Sequence, residues 1–104
     1  MERVGFVMHL KPGHEAEYRR RHAAVWPEML ESLREAGCRN YSIFLHGADL
    51  FGYLEVDCFK SFCSTMADSP VNARWQADMA NLIDPLTNPT TGFHRRLDEV
   101  FHVD

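Results

Sequence analysis

With 104 residues, 45% of them hydrophobic and 25% charged, the chain has room for one domain spanning 1–104 and apolar bulk for a small core. Fifteen Asp and Glu against eleven Lys and Arg give a formal charge of −4, which argues against a nucleic-acid partner. No apolar run approaches the ~20 residues of a membrane span, and the opening MERVGFVMHLKPG lacks the basic stretch and cleavage site of a secretory signal, so neither a membrane nor an export role is expected.

Residues 3–10 alternate, with Val4, Phe6, Met8 and Leu10 on one face and Arg3, Gly5, Val7 and His9 on the other. That predicts a strand with one buried side, ended by Lys11-Pro12-Gly13. From His14 to about Ala36 the spacing becomes helical, and Tyr18, His22, Val25, Met29, Leu33 and Ala36 form one stripe. Pro27 disfavours helical backbone at Trp26, so a break is expected there, and Gly37 stops the helix. The run Arg19-Arg20-Arg21 follows Glu15 and Glu17 by one turn. Pairing Glu15 with Arg19 and Glu17 with Arg21 makes it a salt-bridged solvent face rather than a phosphate patch.

Asn40–His46 and Leu50–Val56 read as strands joined by a hairpin at Gly47-Ala48-Asp49. Residues 58–67 read as a helix with Phe59, Phe62, Cys63, Met66 and Ala67 on one side. Ser69-Pro70 starts another, as N-cap and first helical position, whose stripe is Val71, Trp75, Met79 and Leu82 or Ile83. Asp84-Pro85 ends that helix, LTNPTTG is a polar loop, and LDEVFHV closes the chain as a fourth strand. Cys38, Cys58 and Cys63, odd in number and without a CxxC pair, read as reduced thiols of a cytoplasmic protein.

The order β-α-β-β-α-β predicts an α+β, ferredoxin-like domain: a four-stranded antiparallel sheet with helices on one face. The other face would carry Val7 and His9, either the Tyr41/Ile43/Leu45 or the Ser42/Phe44/His46 row, and Val100 or Phe101. That is too apolar for bare surface, so a second copy is expected to cover it, making a homodimer.

Tyr18 and His22 stand one turn apart on the first helix and point the same way. A histidine on an apolar stripe reads either as a satisfied core side chain or as a proton-active group. The break at Trp26-Pro27 and the phenol of Tyr41 opening the next strand favour the second. Two phenols around an imidazole make an uncharged hydroxyl-binding pocket, with a histidine able to give or take a proton near neutral pH. Trp75 reads either as a core anchor or as a platform for the apolar face of a sugar ring. His9, His14, His46, His94 and His102 show no HxH or HExxH spacing, so no metal is expected. No GxGxxG, GxxxxGK[ST] or GxSxG is present, which removes the usual nucleotide and nucleophile-elbow readings.

The stretch FVMHLKPGHEAEYRRRHAAVWPEM, then NYSIFL, RW in the second long helix and a terminal LDEVF, resembles the L-rhamnose mutarotase family over nearly the whole chain. The family pattern is an EYxxRHxxxWPE helix, an NYxI(Y/F)L strand, an RWW element and an EVF strand. The resemblance implies a dimeric ferredoxin-like α/β barrel that interconverts the anomers of a six-deoxy hexose without cofactor. By motif position it implies His22 as proton donor, with Tyr18, Tyr41, Trp75 and Gln76 around the sugar. Gln76 stands where the family has its second tryptophan, and the hairpin at Gly47-Ala48-Asp49 is shorter than usual. Both departures bear on which sugar is held, so L-fucose stands beside L-rhamnose as a candidate. A dimeric α/β-barrel monooxygenase and a non-catalytic ligand-binding module are the readings from other classes.

Overall fold

The computed structural model describes residues 1–84 and 93–104. Strand β1 (Glu2–Leu10) buries Val4, Phe6, Met8 and Leu10, each at most 3% exposed, on the side its alternation predicts. It pairs antiparallel with β3 (Asp49–Val56), from Glu2↔Val56 to His9↔Asp49, and β2 (Arg39–His46) lies outside β3. On its other edge β1 receives two short segments, β4 (Ile83–Asp84) against His9 and Leu10, and β5 (Arg95–Leu97) against Gly5 to Val7. Together they occupy the position of the expected fourth strand.

The long helical stripe divides into α1 (Glu15–His22) and α2 (Pro27–Glu35). Trp26 takes extended backbone (φ −58°, ψ 135°), as a residue before proline must, and Pro27 sits where its missing N–H costs nothing. After β3 come α3 (Phe59–Ala67) and α4 (Pro70–Met79), the latter capped by Ser69, whose hydroxyl accepts from the Asn72 N–H at 3.2 Å. Val4, Phe6, Leu50, Leu54 and Val56 from the sheet pack with Met29, Phe59, Phe62, Met66, Trp75 and Met79 from the helices, so the core lies between the sheet and the helices on one face. Among the described residues no helix is long and apolar enough to cross a membrane.

Register settles which row of β2 faces the core. Phe44 pairs with Phe51, and Phe51 with Val7, so Ser42, Phe44 and His46 face away from the helices. Tyr41, Ile43 and Leu45 face the core, and the Tyr41 ring meets the Phe6 ring edge-on at 5.9 Å. A bulge interrupts the ladder where the strand begins. Arg39 opposes Glu55 and Ser42 opposes Tyr53, which leaves one extra residue in β2 between them, and Asn40 there adopts φ 50°. Gly52 has a different reason to be small: a Cβ there would stand 2.1 Å from Phe6 Cζ, because the phenyl ring lies across the backbone of β3.

Three expectations need correction. The helix begun at Pro70 ends at Met79, and Ile83–Asp84, expected at its end, is strand β4 on the edge of β1. The last strand is Arg95–Leu97 rather than LDEVFHV; only Leu97 is common to both, and 98–104 has no strand partner among the described residues. Alternation reports strand propensity, not whether an edge is available, and Val100 and Phe101 are 93% and 79% exposed. The ion pairing of the arginine run holds for Glu17 with Arg21 but not for Glu15 with Arg19. Glu17 binds Arg20 and Arg21, and Arg19 has no ion pair among the described residues. The LTNPTTG loop lies outside the described residues.

Candidate active site

The eight residues of α1 carry Tyr18 and His22 toward β2, and Tyr18 is the buried residue of that helix. The phenol and imidazole rings stack at 4.0 Å with 21° between planes. His22 Nδ1 lies 3.1 Å from the Tyr18 carbonyl oxygen, so Nδ1 carries the hydrogen and donates it, leaving Nε2 as the nitrogen free to exchange a proton. Burial lowers the His22 pKa below its ordinary value, and the hydrogen bond to the backbone partly opposes this. The imidazole and the Trp75 ring meet nearly perpendicular at 5.3 Å between centroids, and Trp75 in turn meets Trp26 at 5.0 Å. The imidazole thus contacts two aromatic rings and a backbone carbonyl.

Tyr18 and His22 open onto a groove of about 410 Å³, completed by Arg19, Ala23, Ile43, Phe44, Leu45 and Leu50. Its walls are mostly apolar, with polar groups concentrated on α1, the usual composition of a site for a small organic ligand. Tyr41 lies behind this wall. Burial raises the pKa of both phenols far above the ordinary value, and the nearby Tyr18 contributes for Tyr41. Both therefore stay neutral hydroxyls, suited to hydrogen-bond a ligand and unsuited to act as ionised bases. Among the described residues no three His, Cys, Asp or Glu side chains gather as metal ligands would.

The predicted site residues are brought together unequally. Tyr18, His22 and Trp75 are in ring contact, whereas Tyr41 packs on Phe6 and does not line the groove. Trp75 is 6% exposed and touches His22, which makes it an anchor behind the imidazole. Gln76 is exposed on the far side of α4, where its amide donates to Asn72 Oδ1 at 3.2 Å, outside the groove. Sequence reasoning missed Arg19 at the groove rim and Gly52 with Phe6 behind Tyr41. A glycine inside the strand pattern LFGYLEV was the available sign of the latter, since it marks a close approach.

An antiparallel sheet with helices on one side, and a groove between the first helix and an edge strand, defines the class: a small ferredoxin-like α+β domain. The L-rhamnose mutarotase family profile matches residues 3–103. The chain is 37% identical to the L-rhamnose mutarotase of Oceanobacillus iheyensis, covering 100% of both chains, and 40% identical to that of Ligilactobacillus salivarius, covering 98% and 97%. The crystal structure of an L-rhamnose mutarotase from Formosa agariphila superposes with a TM-score of 0.81 at 29% identity, covering 100% of both chains. The chain belongs to the L-rhamnose mutarotase family.

Proposed function

We propose that this chain, acting as a single domain over 1–104, interconverts the α and β anomers of L-rhamnose by acid–base-catalysed ring opening and closure. The observation that carries this reading is the imidazole of His22 lining the groove, with Nδ1 committed to the Tyr18 carbonyl and the ring stacked on Tyr18. Mutarotation asks for little more. Protonated Nε2 gives its proton to the ring oxygen as the bond from that oxygen to the anomeric carbon breaks. The anomeric hydroxyl becomes the aldehyde carbonyl as its proton passes to water, directly or through a phenol that gives up its own proton in the same step. Rotation about the bond from the aldehyde carbon to its neighbour exposes the other carbonyl face, and the steps run backwards. Tyr18 holds a sugar hydroxyl and Trp75 backs the imidazole, while Tyr41 and Gln76, neither of which lines the groove, act on the sugar only through their neighbours.

A homodimer accompanies this reading. Val7, Phe44 and Phe51 form an apolar row across three strands on the face away from the helices, and Phe44 and Phe51 are 65% and 41% exposed. The exposed tail residues Val100, Phe101 and Val103 add to the surface that a second copy would cover. Three free cysteines suit the reducing cytoplasm. The test is saturation-transfer NMR of anomer exchange on L-rhamnose, L-fucose and a non-deoxy sugar. Acceleration greatest for L-rhamnose is expected; acceleration confined to L-fucose would reassign the substrate, and none with any sugar would end the mutarotase reading.

A further inference from the structure

Helix α1 has eight residues, about two turns, and only Tyr18 of it is buried. A helix that short is marginal by itself. The break at 23–26 also separates it from the better-anchored α2. Its proton-active side chain nevertheless stands in defined contact with Trp75, on a helix far away in sequence. Something must hold α1 against α4 for that contact to persist.

Arg21, next to His22, has the geometry to do so. Its Nε donates to Glu17 Oε2 at 2.7 Å, and its Nη1 donates to the Asp78 carbonyl oxygen at 2.6 Å, with Asp78 Oδ2 at 3.6 Å. Asp78 lies in the last turn of α4, where carbonyls lack an N–H donor from their own helix and carry the negative end of the helix dipole. Trp75 is one turn earlier on the same helix. Glu17 is itself gripped by Arg20 through two bonds of 2.7 and 2.6 Å, so the carboxylate is a fixed brace and not a loose surface partner. Arginine keeps its charge at every usable pH, and these two arginines hold the Glu17 pKa down at about 2, so the brace does not titrate where the enzyme works.

We propose that Arg21 is a positioning residue for His22: braced by Glu17, it ties the last turn of α4 to α1 and so fixes the separation of the imidazole from the Trp75 ring. This rests on the reading of His22 as the proton donor. A surface ion pair between long side chains contributes little to stability; the tie acts instead on placement, where an error of about 1 Å is enough to cost up to a hundredfold in rate.

The test compares anomer exchange of L-rhamnose by Arg21→Met, Arg21→Lys, Glu17→Gln and His22→Ala, each well below its melting temperature. Methionine keeps an apolar stem and removes every donor. It is expected to lower kcat about ten- to a hundredfold while KM moves less than about threefold. Lysine, which reaches one acceptor at a time, is expected to recover part of the loss. Tryptophan emission gives a second readout: quenching by the protonated imidazole, lost in His22→Ala, should weaken in Arg21→Met. A folded Arg21→Met with kcat within about twofold of wild type, beside an inactive His22→Ala, overturns the positioning role and leaves the donor reading intact. A loss that merely follows the unfolded fraction overturns it equally. Should Arg21→Met not fold, Arg21→Lys and Glu17→Gln decide by the same criteria. Full exchange in His22→Ala removes the donor reading, and Arg21 then has nothing to position.

Discussion

Two concavities lie on opposite sides of the same sheet, and the proposed chemistry sits in the smaller. The cleft on the face away from the helices, about 630 Å³, is lined by Arg3, Tyr53, Arg96, Asp98 and Glu99 among others. The groove beside α1 is about 410 Å³. In the larger cleft the polar groups answer one another: Arg3 makes a double bond of charge to Glu99 at 2.9 and 3.1 Å, and the Tyr53 hydroxyl donates to Glu55 at 2.7 Å. In the smaller groove a held imidazole keeps one nitrogen uncommitted. Volume says where a molecule fits, whereas an immobilised group with unused proton capacity says where it reacts. The larger cleft is formed by the tail and the sheet face on which the proposed second copy would sit.

That contrast is open to direct attack. The largest effect is expected from His22→Ala, which should remove about a hundredfold or more of the acceleration measured by NMR exchange. The donor form of His22 is the protonated one, and burial lowers its pKa from 6.5. For the wild-type enzyme kcat/KM should therefore fall as pH rises through a value below 6.5; a rate that instead grew through that value would make Nε2 a base. On the other face, Phe51→Glu places a charge in the middle of the Val7–Phe51–Phe44 row. Sedimentation should then show the monomer where wild type runs at twice the chain mass, and a wild-type monomer would dissolve the contrast between the two faces. Gly52→Ala drives a Cβ into the Phe6 ring and is expected to cost about 1–3 kcal/mol, read as a lowered Tm. Smallest is Gln76→Trp, which should shift the preference between L-rhamnose and L-fucose by less than about tenfold, since Gln76 stands outside the groove.

Much of the site was legible in the sequence because it is local. Tyr18 and His22 share a helix face by spacing alone, and Pro27 dictates the extended backbone at Trp26 that ends α1 early. What escaped was set by relations between distant segments. Which row of β2 faces the core follows from its pairing register with β3, which the string NYSIFLH does not display. Glu17 selects Arg20 as well as Arg21, and the reach of Arg21 to Asp78 needs α4 in place. The pattern of LDEVFHV is strand-like, yet most of it finds no edge among the described residues. Family resemblance supplied the role of His22, and geometry supplied the reason its free nitrogen is Nε2.

The bulge at Asn40 has a consequence for how such a chain can change length. Strand β2 is counted from two ends, from the turn at Gly37 and from the hairpin at Gly47, both glycines with positive φ. Without slack, one residue gained or lost after α2 would turn Tyr41, Ile43 and Leu45 outward together. A residue held at φ 50°, a conformation asparagine tolerates better than most, absorbs that miscount where the strand begins. A change in the span between α2 and β2 can thus be taken up there while the hairpin keeps the inward row in phase, much as an expansion joint lets one side of a bridge lengthen without moving the other.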